Sequence, residues 1–316
     1  MENTRAKTTR NSLILLLTAT IWGMAFVSQS KGMDYMHPFT FNGVRSLIGA
    51  AGILVYILIS RKITGDKAAK LDWKRNVRAG LLCGIFLTIA STLQQFGIKY
   101  TSVGKAGFIT TLYIIFVPMF GIFLKKKVAP VVWAAAGMAA VGMYLLCMTE
   151  SLRLGAGDIM VFLCAIAFAI QIMTVDHYAA RIDGAVVSCI QFTVCGVVCC
   201  IGALIWGQPT FGQIQEGLGA LLYAGVLSCG VGYTLQIVGQ KGLNPTVAAL
   251  IMSLESVIAT ISGWIAYKIG FLSTDQTLTP RQIAGCVIVF AAVILVQLPP
   301  EWFRFGKKTL KRIENA

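Results

Sequence analysis

Two ionisable residues, Arg45 and Glu255, are embedded in long apolar stretches of this 316-residue sequence. Holding a charge in hydrocarbon is costly, so such a group faces the interior of a helix bundle or a wet cavity. The chemistry open to the two residues there is recognition of charge. A guanidinium can take a carboxylate. A carboxyl can take an amine, or exchange a proton and so couple a flux to a proton gradient. Together they suit a zwitterion, or they pair with each other. Helical spacing puts Asn42, Arg45, Gly49, Gly52 and Tyr56 on one stripe, and Ala248, Met252, Glu255, Ala259 and Ser262 on another. Each charge therefore lies on a small or polar face, as helix packing or cavity lining requires. On its own helix, Glu255 has no countercharge within one turn.

A second group of polar residues is written twice. TLQQFGIK at 92–99 and TLQIVGQK at 234–241 agree at five of eight positions, 142 residues apart. Gln94 shares a stripe with Ala90, Gly97 and Thr101, and Gln236 shares one with Gly225, Cys229, Gly232 and Gly239. Small faces of this kind let helices approach, and each Gln can either bond a neighbouring backbone or line a cavity. Gln171 and Gln191 are further cavity candidates. Trp22 and Tyr113 join the set, although such aromatics, like Trp264, more often serve as core or interfacial anchors. The candidate substrate-binding or cavity residues are thus Trp22, Arg45, Gln94, Tyr113, Gln171, Gln191, Gln236 and Glu255.

Other chemistries find little support. An enzyme site needs an acid/base pair, a metal cluster or an activated nucleophile, and none is visible. His37 and His177 lie at the margins of apolar runs without metal-ligand spacing, and the nine cysteines all lie inside such runs, so neither a metal site nor a disulfide framework is expected. The chain has no G-x-x-x-x-G-K-[ST] phosphate loop, so no nucleotide and no cofactor is expected. A channel would show repeated selectivity-filter features, which are absent.

The elements that must position these residues are membrane spans. The chain is 56% hydrophobic and 13% charged, with a mean hydropathy of +0.74, whereas a soluble domain carries about a quarter charged residues. Ten apolar runs are long enough to cross a bilayer core of about 30 Å as helix. They are 12–30, 38–60, 79–99, 103–124, 130–148, 158–177, 184–206, 217–240, 246–267 and 281–298, numbered here as helices one to ten. The first follows a basic tail without a small-residue cleavage site and is expected to be retained. With a cytoplasmic N-terminus, twenty of the 27 Lys and Arg fall on the cytoplasmic side and six on the other. That is the positive-inside bias, so the net charge of +14 points to anionic lipid headgroups and not to nucleic acid.

Extended without gaps, the repeated phrase gives ten matches in 35 positions between 92–126 and 234–268, against about two to four expected by chance for apolar helices. Helices three and four correspond to eight and nine. Helix one matches helix six at an offset of 146, which puts Trp22 on Phe168 and Arg45 on Gln191. A unit of five helices is odd, so the copies run in opposite directions across the membrane. The expected fold is an all-α membrane protein of ten transmembrane helices in two inverted five-helix repeats, 12–148 and 158–298, with basic cytoplasmic tails at 1–11 and 299–316. Gly80-x-x-x-Gly84 is compatible with close helix contact and with a homodimer.

On these residues the sequence resembles the drug/metabolite transporter superfamily, specifically its EamA-type members. The resemblance is carried by ATIWGMAFVSQ (19–29), Arg45, GKAGFITTLYIIFVPMFGIFLKKK (104–127), GDIMVFLCAIAFA (157–169) and LNPTVAALIMSLESVIATISGWI (243–265), and covers residues 12–298. It implies a cavity lined by helices one to four and six to nine, with five and ten peripheral. It also implies a secondary transporter of small polar or amphipathic metabolites, amino-acid-like or drug-like, often exported, in a plasma membrane of bacterial type. A lipid or amphiphile translocator would share the fold. Many relatives have Glu-Pro where this chain has Glu255-Ser256, so a straighter helix nine is expected. The expected partners are a small-molecule substrate, membrane lipids and, through Glu255, a coupling proton.

Overall fold

Each apolar run forms a helix or a series of helical segments. The computed structural model describes residues 2–64, 72–125, 130–147, 155–273 and 275–297. Helix one spans Glu2–Gly32, helix two Pro38–Thr64 and helix three Trp73–Ile98. Helix four is Val103–Thr111 followed by Tyr113–Phe123, helix five is Pro130–Cys147 and helix six is Ala156–Ala179. Helix seven is Gly184–Gly202, ending in a π-turn at Ala203–Gly207. Helix eight joins Leu218–Leu222, a π-segment Tyr223–Gly232, and Tyr233–Gly239. Helix nine is Pro245–Met252 and Glu255–Lys268, and helix ten is Pro280–Gln297. Eight of the ten are long and apolar enough to cross a membrane, and the apolar stretches of helices five and ten, Pro130–Gly142 and Pro280–Leu295, are shorter.

The start of helix one departs from expectation. The stretch read as a tail at 1–11 is helical from Glu2, and Asn11 Nδ2 donates to Lys241 O at 2.7 Å, tying this extension to the end of helix eight. The tail at 299–316 lies outside the described residues.

The packing pattern is two-fold. Helix two packs on seven, five on ten, and four on nine. Helix three packs on six and seven, while one packs on eight and nine, two on eight, and four on six. Exchanging one with six, two with seven, three with eight, four with nine and five with ten maps this pattern onto itself. Since each half holds an odd number of spans, the relation inverts them. Helices five and ten stand beside the bundle and pack mainly on each other.

Small residues set these approaches. A Cβ on Gly23 would sit 2.6 Å from Ile258 Cβ and 2.7 Å from Glu255 O, so helix one meets helix nine backbone-first. The same applies to helices two and eight, where a Cβ on Gly49 would lie 2.8 Å from Gly225 O, and one on Gly225 would lie 2.9 Å from Arg45 O. Gly80 and Gly84 face Ile190 and Val194 of helix seven, so this pair is used within the chain and offers no free face to a second copy. Gly23→Ala is expected to destabilise by about 1–3 kcal/mol, because the clash is with backbone that cannot yield. Gly52→Ala is the control, since nothing lies within 4 Å of it. Melting of the two purified variants in detergent checks the contrast.

Helix nine corrects one expectation. Although Ser256 replaces proline, the helix is interrupted at Ser253–Leu254. Ser256 N and Ser256 Oγ both bond Ser253 O, at 3.1 and 2.8 Å, and Ser253 Oγ bonds Leu250 O at 2.7 Å. Serine hydroxyls that bond back to the preceding turn compete with the helical ladder and bend it. Helix four breaks at Leu112, the repeat equivalent of Leu254, where Leu112 N bonds Ile109 O and Ile115 N bonds Leu112 O.

Candidate functional site

The two breaks deliver the central residues. Tyr113 and Glu255 are each the first residue after the interruption in their helix. They occupy equivalent positions, 142 apart in sequence, and they meet: Tyr113 OH donates to Glu255 Oε1 at 3.0 Å. Glu255 therefore sits in the first turn of a half-helix, where the backbone dipole favours negative charge. It is 4% exposed.

Around this pair is a cavity. Its wall includes Trp22, Phe26 and Gln29 of helix one, Arg45 of helix two, Gln94 of helix three, and Thr110 and Tyr113 of helix four. The second repeat contributes Phe168, Gln171 and Ile172 from helix six, Ser228, Tyr233 and Gln236 from helix eight, and Glu255. The free volume is about 30 Å³, room for roughly two waters and no metabolite. Ten side-chain atoms among the described residues are buried without a hydrogen-bond partner, and four of them, Trp22 Nε1, Gln29 Oε1, Arg45 Nε and Gln236 Oε1, belong to residues of this wall.

Seven of the eight candidate residues thus share one cavity. The eighth, Gln191, stands behind it: Gln236 Nε2 donates to Gln171 Oε1 at 3.2 Å, and Gln171 Nε2 to Gln191 Oε1 at 3.5 Å. Gln94 Nε2 instead donates to Thr110 Oγ1 at 3.1 Å. The Trp22 and Tyr233 rings lie 4.5 Å apart between centroids. A direct Arg45–Glu255 pair is not formed. No ion pair of Arg45 occurs among the described residues, and its guanidinium lies 5.5 Å over the Phe41 ring.

Sequence reasoning left Gln29, Thr110, Ser228 and Tyr233 out of the wall. Tyr233 was within reach, since it stands one turn before Gln236 on the same stripe. Ser228 was not, because it lies in the π-segment, where a 3.6-residue period no longer reports the face. Among the described residues there is no group of three or more His, Cys, Asp or Glu able to hold a metal.

The repeated phrase lies in two equivalent contacts, of helix three with helix six and of helix eight with helix one. A Cβ on Gly97 would meet Val161, and would lie 2.8 Å from Gly157 O, at the start of helix six. A Cβ on Gly239 would lie 2.7 Å from Leu15 of helix one. Polar latches reinforce each contact. At the helix-six end Lys105 Nζ meets Asp158 Oδ2 at 2.6 Å, and Thr101 Oγ1 donates to Asp158 Oδ1 at 3.0 Å. At the helix-one end Asn11 holds Lys241 O, while Lys241 Nζ donates to Ile182 O at 3.1 Å.

A model described as the EamA-like transporter family matches the chain twice, over residues 10–148 and 155–298. An uncharacterized transporter of Archaeoglobus fulgidus is 27% identical over 290 residues, 90% of this chain and 84% of the relative. An uncharacterized transporter of Clostridium kluyveri is 22% identical, covering 90% of this chain and 91% of the relative. The uncharacterized transporter YwfM of Bacillus subtilis is 24% identical, covering 92% and 94%. A solved crystal structure superposes with a TM-score of 0.69 at 16% identity, covering 91% of this chain and 96% of that one, which shows the shared fold.

Proposed function

The chain belongs to the EamA-like transporter family, and from that premise we propose that it is a secondary transporter that exports a small polar or amphipathic metabolite across the plasma membrane by alternating access. Both termini face the cytoplasm, on the charge bias of the loops. The Lys105–Asp158 latch then lies on the outer side and the Asn11–Lys241 latch on the inner side. The observation that carries this reading is one cavity lined by polar residues of both repeats, with a polar latch at the contact of helices three and four with helix six and another at the contact of helices one and eight. Releasing one latch opens the cavity to one side, and the inverted repeat makes the opposite opening its structural counterpart. The residues proposed to contact cargo are Trp22, Arg45, Gln94, Tyr113, Gln171, Gln236 and Glu255. Gln191 orients Gln171, and Glu255 is the coupling site for a proton.

The test is transport by the purified protein in liposomes, with a panel of labelled metabolites. Saturable flux, faster when the far side holds unlabelled substrate, is expected for at least one compound. Flux that rises linearly without saturation would indicate a pore, and no flux for any member of a broad panel would remove the transporter reading.

A further inference from the structure

We propose that Arg45 is an anion-binding pole of this cavity, so that the cargo carries a carboxylate and is held in one orientation. This rests on the transporter reading above. Arg45 is 5% exposed yet lines the cavity, and its Nε has no hydrogen-bond partner. Glu255, the acidic residue of the cavity wall, is engaged by Tyr113. The acids that form ion pairs among the described residues, Asp34, Asp72 and Asp158, take Lys31, Arg75 and Lys105 instead. A buried guanidinium is an expensive group to leave without an anion. Its planar fork matches the two oxygens of a carboxylate.

The orientation follows from how the repeats differ. The scaffold is two-fold, but the charges are not. The repeat equivalent of Arg45 is Gln191, and that of Glu255 is Tyr113. Each equivalent pair therefore carries its charge on one member alone. A cargo placed in a nearly symmetric cavity meets an asymmetric field: its acid end goes to the helix-two wall and the other end toward helix nine. The preference is built into side chains that move with their helices, so it holds whichever latch is open.

Three sets of probes test this on the purified protein in lipid nanodiscs: amino acids, the matching amino-acid amides, and the matching acids without the amine. Sodium chloride alone is the inorganic arm. Ligand binding is read as a rise in melting temperature, and flux is read in liposomes. At least one carboxylate should stabilise the protein, with its amide weaker by at least about tenfold, since the amide lacks the charge that strengthens the bond. Arg45→Gln, which copies the equivalent residue, should lose the response, and Arg45→Lys should retain part of it. Equal binding of acids and amides, or a full acid response in Arg45→Gln, overturns the assignment. So does a panel in which no acid binds. If amides or amines are carried equally well, transport stands and the carboxylate falls. If chloride alone stabilises, and does so through Arg45, the pole holds an inorganic anion and the cargo claim fails. Should Arg45→Gln not fold, the acid–amide contrast on the unaltered protein decides.

Discussion

Glu255→Gln is expected to lower transport by about 100-fold, within the roughly 5–150-fold that a coupling free energy between two sites spans, while expression and folding stay near normal. The carboxyl is buried at the start of a half-helix, and Tyr113 is the side chain that bonds it. Glutamine keeps the shape and can still accept from the Tyr113 hydroxyl, so the helix-four to helix-nine contact survives. What is lost is the charge and the exchangeable proton. Flux driven by a proton gradient should therefore vanish, even if slow exchange of substrate down its own gradient persists. Normal transport in Glu255→Gln, with unchanged dependence on the proton gradient, would remove Glu255 from both coupling and recognition. A variant that does not fold would make the residue structural, and Tyr113→Phe, which breaks the same bond from the other side, separates the two cases.

The second large effect is expected from fixing one latch. Thr101 and Asp158 are 3.0 Å apart at their side-chain oxygens, on opposite sides of the helix-three to helix-six contact. Cysteines at both positions, in a background freed of the nine native cysteines, should cross-link on mild oxidation. Transport should then fall to the background of empty liposomes and recover on reduction, because alternating access requires this side to part. The single Asp158→Cys variant loses the ion pair to Lys105 and should still transport. Undiminished flux through the fully cross-linked protein would mean that this side does not open in the cycle.

Much of the fold was legible because lipid makes its demands in simple terms. Ten apolar runs, the basic loops and the repeated TLQ phrase indicated the spans and their inversion, and the glycines of that phrase, Gly97 and Gly239, stand where helix three meets helix six and helix eight meets helix one. The site was partly legible for a related reason. Arg45 and Glu255 stood out because buried charge is costly, the four glutamines as polar groups within apolar runs, and Trp22 and Tyr113 as aromatics beside them; seven of these eight line one cavity. What escaped was local backbone detail. Two serines interrupt helix nine although it lacks the proline whose absence suggested a straighter helix, and the π-segment of helix eight turns Ser228 inward against the expected period. The Tyr113–Glu255 bond was also hidden, although both residues were named. Its two members are repeat equivalents, and only the packing of helix four on helix nine brings them face to face.

The central claim is that one cavity is reached from each side of the membrane in turn. Ser228 lines that cavity, is 4% exposed, and differs from cysteine by one atom. The direct measurement is labelling of Ser228→Cys, in the cysteine-free background, by a membrane-impermeant thiol reagent applied to either face of oriented vesicles. Slow labelling is expected from both faces, and the Thr101–Asp158 cross-link should abolish it from the latch side while leaving it from the other. Labelling confined to one face, or labelling from both faces that the cross-link leaves unchanged, would contradict alternating access through this cavity.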